Sequence, residues 1–112
     1  MTGYGDYGAM KDDPGFDNTA FWCRGGLLSD MTEADCKPPM PPTSPSGVGD
    51  ILTGTTPALG VIAALRSRDK TGKGSRARTS LLGMATYAQF SQLLLGQYGT
   101  HYPKSRNRPN RA

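Results

Sequence analysis

The chain has 112 residues, enough for one small domain, and its 36% apolar content lies below the roughly 45–50% usual in globular proteins. Fifteen glycines and nine prolines fall short of the roughly 25–30% typical of disordered low-complexity chains, so we expect ordered elements joined by long irregular stretches. The sequence contains no run of ~18 apolar residues, and its first residues lack the basic and apolar regions of a signal peptide. We therefore expect no membrane helix, no secretory leader and a cytoplasmic location.

Charge is unevenly distributed along the chain. Residues 1–50 carry a net charge of −5, whereas residues 51–112 carry +9. Such a basic half is compatible with nucleic acid, an anionic cofactor or a partner surface. The two cysteines, Cys23 and Cys36, fit no zinc pattern, and His101 is the only histidine. We expect two reduced structural thiols, a surface histidine and no metal site.

The first half of the chain predicts one short helix between two irregular stretches. Residues 1–15 are rich in glycine and aspartate without periodicity, which indicates a loop. Within residues 17–28, Asp17 is a candidate N-cap for a short helix that runs through Arg24 until the Gly25-Gly26 pair ends it. Residues 29–49 follow as a long connection with five prolines, a length typical of functional or disordered loops.

The second half begins with the most regular helical pattern of the chain. Apolar residues recur at helical spacing on one face, at Ala58, Val61, Ile62 and Leu65. Pro57 leaves the start of this helix open. The helix either runs from Ile51 and is kinked by the proline, or it is capped by Thr55 or Thr56 with Pro57 in its first turn.

Glycines, a short strand and a second helix are predicted after the regular helix. Gly72 and Gly74 suit the left-handed conformation that ends a helix and turns the chain. Residues 76–80 predict a short strand. Residues 81–95 predict a helix that ends at one of the next glycines, and residues 100–112 predict a basic, irregular tail or linker.

Several motifs have an ordinary structural interpretation. Residues 3–8 (GYGDYG) match the pattern G-x-G-x-x-G, but no strand precedes them and no helix N-terminus follows, so we interpret them as loop glycines. Residues 71–75 (TGKGS) are not a phosphate-binding loop, because Gly74 rather than Ser or Thr follows Gly72-Lys73 and residue 67 is Ser rather than Gly. The aromatic residues Phe21 and Trp22, beside Phe16, are expected in the core rather than stacked on a ligand.

Acidic residues are also assigned by their setting. Asp12, Asp13 and Asp17 lack the spacing of a calcium loop and are expected to be solvated. Asp50 follows the flexible residues 46–49 and lies at, or just before, the N-terminal end of the regular helix. Free amide donors and the helix dipole stabilise a carboxylate there, and this position alone favours a helix cap over catalysis.

Three segments, taken in this order, carry a resemblance to a known family. They are residues 3–26, with their glycines and the run PGFDNTA, then residues 49–50 (GD) followed by the helical residues 60–65 (GVIAAL), and finally residues 70–81. Together they resemble the family III coenzyme A transferases of the CaiB/BaiF type, which include formyl-CoA, carnitine and 2-hydroxyacid CoA transferases. The resemblance covers residues 3 to about 95.

The resemblance implies an α/β fold, namely a partial Rossmann-like large domain that is here mostly helices and loops with a short strand. Residues 1–99 would form the central segment of that large domain, and residues 100–112 its basic tail. Family members are about four times longer and form homodimers. They bind no cofactor and use a coenzyme A thioester and a carboxylic acid as substrates.

The resemblance also implies the site residues. Asp50 matches the aspartate that forms an anhydride with the donor acyl group and then a thioester with coenzyme A. Phe16, Gly47 and Gly49 are the matching candidates for substrate binding, and backbone amides of residues 47–49 are candidate oxyanion donors. Racemases of the same fold carry a histidine where this chain has Phe16, which favours transfer over racemisation. The segment around Phe16 looks most similar to the branch acting on 2-hydroxy acids.

Two other interpretations stay open. One is a small basic module that uses Lys70, Lys73, Arg76, Arg78 and the tail to bind nucleic acid, and such binding would weaken steeply with salt. Alternatively, the chain is a structural fragment that folds only with a complementary chain.

Overall fold

The computed structural model describes residues 1–32 and 47–99. These residues form a π-helix, Asp17–Cys23, and four α-helices, which are α1 (Leu27–Met31), α2 (Val48–Thr71), α3 (Leu81–Ala88) and α4 (Phe90–Gln97). The expectation of mostly helices and loops holds for this part of the chain. The cysteine at position 36, the histidine at position 101 and the basic tail lie outside the described residues.

The predicted strand at residues 76–80 is wrong. Within the described ranges the only pairing of extended backbone is a single parallel bridge between Thr2 and Ser80. The N–H of Leu81 donates to the Thr2 carbonyl at 3.1 Å, and the N–H of Thr2 donates to the Thr79 carbonyl at 3.1 Å. A strand needs a neighbouring segment along its whole length, and here only the first residues of the chain reach it.

The N-terminal residues form the predicted loop, and its glycines have structural roles. Gly3 and Gly15 cross so closely that a Cβ on either one would overlap the Cα of the other. Gly5 and Gly8 have φ angles of +103° and +93°, a region that side chains disfavour. The glycines of residues 3–8 are therefore explained by chain geometry without a bound phosphate.

The helix predicted from Asp17 up to the Gly25-Gly26 pair is present as a π-helix, Asp17–Cys23, that ends just before these glycines. Its characteristic bond joins the N–H of Arg24 to the Thr19 carbonyl at 2.9 Å. Phe16, not Asp17, is the N-cap, because Phe16 is extended and its N–H donates to the Thr19 hydroxyl at 3.0 Å. The carboxylate of Asp17 is consequently free to act elsewhere.

The core lies between the π-helix and α3. Its buried members are Ala20, Phe21, Trp22, Leu81 and Ala85. The rings of Phe21 and Trp22 meet edge to face with centroids 5.8 Å apart. Both aromatic residues are thus core residues, as predicted, whereas Phe16 is 68% exposed.

The long helix α2 begins earlier than either sequence alternative allowed. Gly47, at φ +88°, precedes it, and Pro57 lies inside it, where it leaves the Thr53 carbonyl without its helical donor. The helix ends at Gly72, whose φ of +68° confirms the predicted left-handed turn, and the Gly72 N–H donates to Arg68 at 2.7 Å. Gly74 does not adopt a positive φ.

Most of α2 is bare. Its predicted apolar face is exposed at Val61 (51%), Ile62 (64%) and Leu65 (45%). Contrary to expectation, an 18-residue stretch of this 24-residue helix has a mean hydropathy of 1.4, which suffices in length and hydropathy for a membrane-crossing helix, and 11% of that stretch is buried. The buried residues of α2, Gly49 and Thr53, lie in its first turns, and farther along the helix Gly60 lies close to Ala77.

The predicted second helix is two helices. Ser80 is the N-cap of α3, and its hydroxyl accepts from the Gly83 N–H at 3.0 Å. The helix breaks at Gln89, which ends α3 and begins α4. The Gln89 side chain is buried against Gly26, and this tertiary contact accompanies the break.

Candidate active site

Asp50 lies in the first turn of α2, and its side chain is exposed. The residue is the third of the helix, since Gly47 is the N-cap and Val48 the first helical residue. No side-chain cap bond is made by the helix's own N-cap, and the Asp50 carboxylate does not fill that role either. The cap interpretation that position alone favoured is therefore wrong, and the carboxylate faces solvent beside the helix N-terminus.

The helix is capped instead from a distant part of the chain. The N–H of Asp50 donates to Asp17 Oδ1 at 3.0 Å, and the N–H of Gly47 donates to Asp17 Oδ2 at 3.2 Å. Asp17 is 8% exposed, so its expected solvation is wrong, whereas Asp12 and Asp13 are exposed as predicted. We call this pair of hydrogen bonds the Asp17 clamp.

Gly49 makes this contact sterically feasible. A Cβ at this position would overlap both Asp17 Oδ1 and the ring of Phe21. Gly49 is buried, and its backbone packs directly against side chains of the π-helix. Only glycine fits at this point. The predicted substrate-binding role of Gly49 stays a prediction, and its close packing is an observed structural role.

The backbone donors at this end of α2 are partly used. The first bond of the helix runs from the Ile51 N–H to the Gly47 carbonyl at 2.8 Å. Of the predicted oxyanion donors, the Gly47 amide is occupied by Asp17. The N–H groups of Val48 and Gly49 come before Ile51, the first residue whose N–H donates within the helix, and belong to the donors that helix geometry leaves without an intrahelical acceptor.

The structure brings the first two resembling segments together. Phe16 directly precedes the clamping Asp17, and it is 68% exposed. Gly47 and Asp50 both donate to Asp17. The other predicted site residues, Phe16 and Gly49, are sequence neighbours of Asp17 and Asp50. The missed residue is Asp17. Its only sequence signal was its place in the G-x-D pattern of residues 15–17.

The other candidate features lie apart from Asp50. Arg78 forms an ion pair with Asp6, with Nη1 and Oδ2 2.6 Å apart, and so ties the third resembling segment to the N-terminal loop. Cys23 is a free thiol and is exposed rather than buried. In the two described ranges, no group of three or more His, Cys, Asp or Glu residues is arranged to hold a metal ion.

An open groove runs along α3 and α4 and contains none of the predicted site residues. Its volume is about 380 Å³, and it is lined mainly by apolar side chains, among them Tyr87, Phe90, Leu93 and Leu94. The groove is remote in sequence from Asp50.

Comparison with known proteins identifies the class to which this chain belongs. The model of CoA-transferase family III matches residues 1–112, and the chain belongs to that family.

The chain is similar to several curated relatives and to one solved structure. It is 41% identical over 110 residues to (R)-2-hydroxy-4-methylpentanoate CoA-transferase of Clostridioides difficile, covering 98% of this chain and 27% of the relative. It is 40% identical over 110 residues to cinnamoyl-CoA:phenyllactate CoA-transferase of Clostridium sporogenes, covering 96% and 26%. A CaiB/BaiF family protein from Brucella suis is structurally similar, with a TM-score of 0.75, 28% identity and coverage of 92% of this chain and 26% of that chain. The chain thus has the fold of part of that protein and spans about a quarter of the length of the relatives it matches.

Proposed function

We propose that the chain carries the nucleophile of a CoA transferase, which moves coenzyme A from an acyl-CoA donor to a carboxylic acid acceptor through covalent intermediates on Asp50. One observation carries the proposal most directly. The Asp50 carboxylate is exposed and unused at the start of α2, because Asp17 performs the capping that this carboxylate would otherwise provide.

Each step of the transfer balances on that one carboxylate. An Asp50 oxygen attacks the donor thioester, the C–S bond breaks, and the coenzyme A thiolate leaves a mixed anhydride. The thiolate attacks the aspartyl carbonyl and releases the donor acid, giving an aspartyl thioester. The acceptor carboxylate then displaces the thiolate, which attacks the acceptor acyl carbon and restores Asp50. An ionised carboxylate needs no separate base for the first attack.

The polarity of the junction suits these intermediates. The free N–H groups at a helix start and the positive end of the helix dipole stabilise negative charge. The amides of Val48 and Gly49 are the donors left for a tetrahedral oxyanion. Phe16, the exposed residue directly before Asp17, would contact the acyl group.

The substrate class is proposed from the relatives. Two of them carry (R)-2-hydroxy-4-methylpentanoate and phenyllactate in their names, and a third, 34% identical over 109 residues, is a succinyl-CoA–L-malate CoA-transferase beta subunit of Chloroflexus aurantiacus. We propose a 2-hydroxy acid as acceptor. Racemisation is the less favoured alternative, because Phe16 provides no proton carrier.

The exposed apolar surface fits a part of a larger enzyme better than a complete one. In the whole protein, we propose, further chain would complete an α/β large domain, cover the bare face of α2 and form a cytoplasmic homodimer. Alone, the chain would be impaired. This explains the hydropathy of α2 without a membrane. Nucleic acid is a weaker alternative, since Arg78, one of its four candidate contacts, is already paired with Asp6.

The test traps the aspartyl intermediate. The chain is incubated with an acyl-CoA donor and hydroxylamine, which converts an aspartyl thioester to a hydroxamate that peptide mass spectrometry assigns to a residue. We expect slow modification of Asp50 and none in Asp50→Asn. The exposed Asp12→Asn is the matched control and should be modified like the wild type.

A second format supplies the remainder of the enzyme. Residues 1–112 replace the matching segment of the Clostridioides difficile relative, and CoA transfer is measured with and without Asp50→Asn. We expect transfer only with Asp50 intact. Equal transfer by the two chimaeras, or a folded chimaera without transfer, contradicts the proposal.

A further inference from the structure

The Asp17 clamp joins two segments that are far apart in the sequence. Its two hydrogen bonds span 30 and 33 residues, and each carboxylate oxygen accepts from a different backbone amide of the Asp50 segment. We propose that Asp17 is a positioning residue that holds the Asp50 backbone in place and keeps the Asp50 carboxylate free for attack. This inference rests on the proposed function of Asp50 and adds a second carboxylate with a distinct role.

The chemistry of the clamp requires a carboxylate. Both oxygens act as acceptors at once, whereas an asparagine in the same place would offer one acceptor and turn a donor toward the second amide. Asp17 forms no ion pair with a lysine or arginine within residues 1–32 and 47–99. At 8% exposure, its charge is balanced by the two amides and by the positive end of α2.

The clamp fixes the nucleophile at its own backbone. The N–H that donates to Asp17 Oδ1 belongs to Asp50 itself, so the Cα of the nucleophile is held directly. Because the Asp50 N–H is already bonded to Asp17, it is not available as a donor to other carboxylates near the helix start. The Asp50 carboxylate is consequently oriented without being paired, which is the arrangement a nucleophile needs before it meets the thioester.

The surroundings make the clamp rigid rather than incidental. Phe21 is 1% exposed and lies against Gly49, so the π-helix and the first turn of α2 are locked side by side around Asp17. Phe16, the residue before Asp17, is the N-cap of the π-helix. A displacement of Asp17 would thus shift the candidate acyl-contact residue and the nucleophile together.

The decisive measurement compares Asp17→Asn with a control of similar stability loss. The control is Ser80→Ala, which removes the cap of α3 and touches neither Asp17 nor Asp50. Both variants are melted, and the rate of Asp50 hydroxamate formation is followed at rising acyl-CoA concentration. We expect Asp17→Asn to lower the limiting rate on the order of 100-fold, with the half-saturating acyl-CoA concentration little changed. Ser80→Ala should retain the wild-type rate at a similar melting temperature.

A measurement on the unmodified chain keeps the inference testable if Asp17→Asn does not fold. Amide hydrogen exchange should be slow at Gly47 and Asp50 and faster at Val48. Of these three amides, only those of Gly47 and Asp50 donate to the buried carboxylate of Asp17. Equal exchange at the three amides overturns the clamp. Equal limiting rates in wild type and Asp17→Asn overturn the positioning role alone, whereas a wild type that forms no Asp50 adduct overturns the proposed function instead.

Discussion

The two ends of α2 differ in almost every physical respect. At its start, Gly49 and Thr53 are buried, Gly49 lies against Phe21, and the carboxylate of Asp17 accepts from two backbone amides. Beyond Pro57, apolar side chains such as Ile62 are exposed. The contrast teaches that the buried residues and polar contacts of α2 are concentrated near Asp50, whereas most of the remaining helix is exposed.

Loss of the Phe21 ring should reduce stability most, because it removes the side chain against which the first turn of α2 packs. We expect Phe21→Ala to lower the free energy of unfolding by about 3–5 kcal/mol, a large part of the roughly 5–15 kcal/mol typical of a domain. Urea denaturation followed by circular dichroism measures it. Phe16→Ala, which removes an exposed ring, should change stability by less than about 0.5 kcal/mol. Similar losses in both variants would contradict the packing described.

A methyl group added at Gly49 tests the difference between the packed and the exposed parts of α2. Gly49→Ala places a Cβ into Asp17 and Phe21, and we expect a loss of about 1–3 kcal/mol from overpacking. The matched control is Gly54→Ala, five residues along α2, where a Cβ meets nothing within 4 Å. That variant should gain about 0.5–1 kcal/mol from helix propensity. Shifts of the same sign in the two melting curves would refute the close approach.

A polar residue on the bare part of α2 should have the smallest effect on stability. Ile62→Gln is expected to change the free energy of unfolding by less than about 0.5 kcal/mol, because the isoleucine is 64% exposed. It should reduce self-association of the chain at high concentration in size-exclusion chromatography. A loss comparable to that of Gly49→Ala would mean that this face is already packed.

The features that the sequence predicted correctly are local. The central helix follows from apolar spacing, the turn at Gly72 from glycine at a helix end, and the burial of Phe21 and Trp22 from their aromatic character. The family was recognisable because short motifs keep their order along the chain. The role of Asp50 also came from that resemblance, and it stays a proposal.

The features that were missed depend on contacts between distant residues. No spacing rule relates Asp17 to an amide 33 positions away, so the true cap of α2 was invisible and Asp50 was the apparent candidate. The break at Gln89 coincides with burial against Gly26, which propensity does not register. The strand at residues 76–80 was predicted from its residues, but pairing needs a neighbour, and the first residues supply one bridge only.

The crossing of Gly3 and Gly15 divides the N-terminal region into a fixed base and an adjustable tip. Because the chain returns to its starting point at that crossing, the length of the intervening loop has little bearing on where Asp17 begins. Exposed tips of this kind tolerate insertions. A short peptide tag or a fluorescent label placed between Asp12 and Asp13, both exposed, should leave the clamp undisturbed and give a handle for following the chain as it folds.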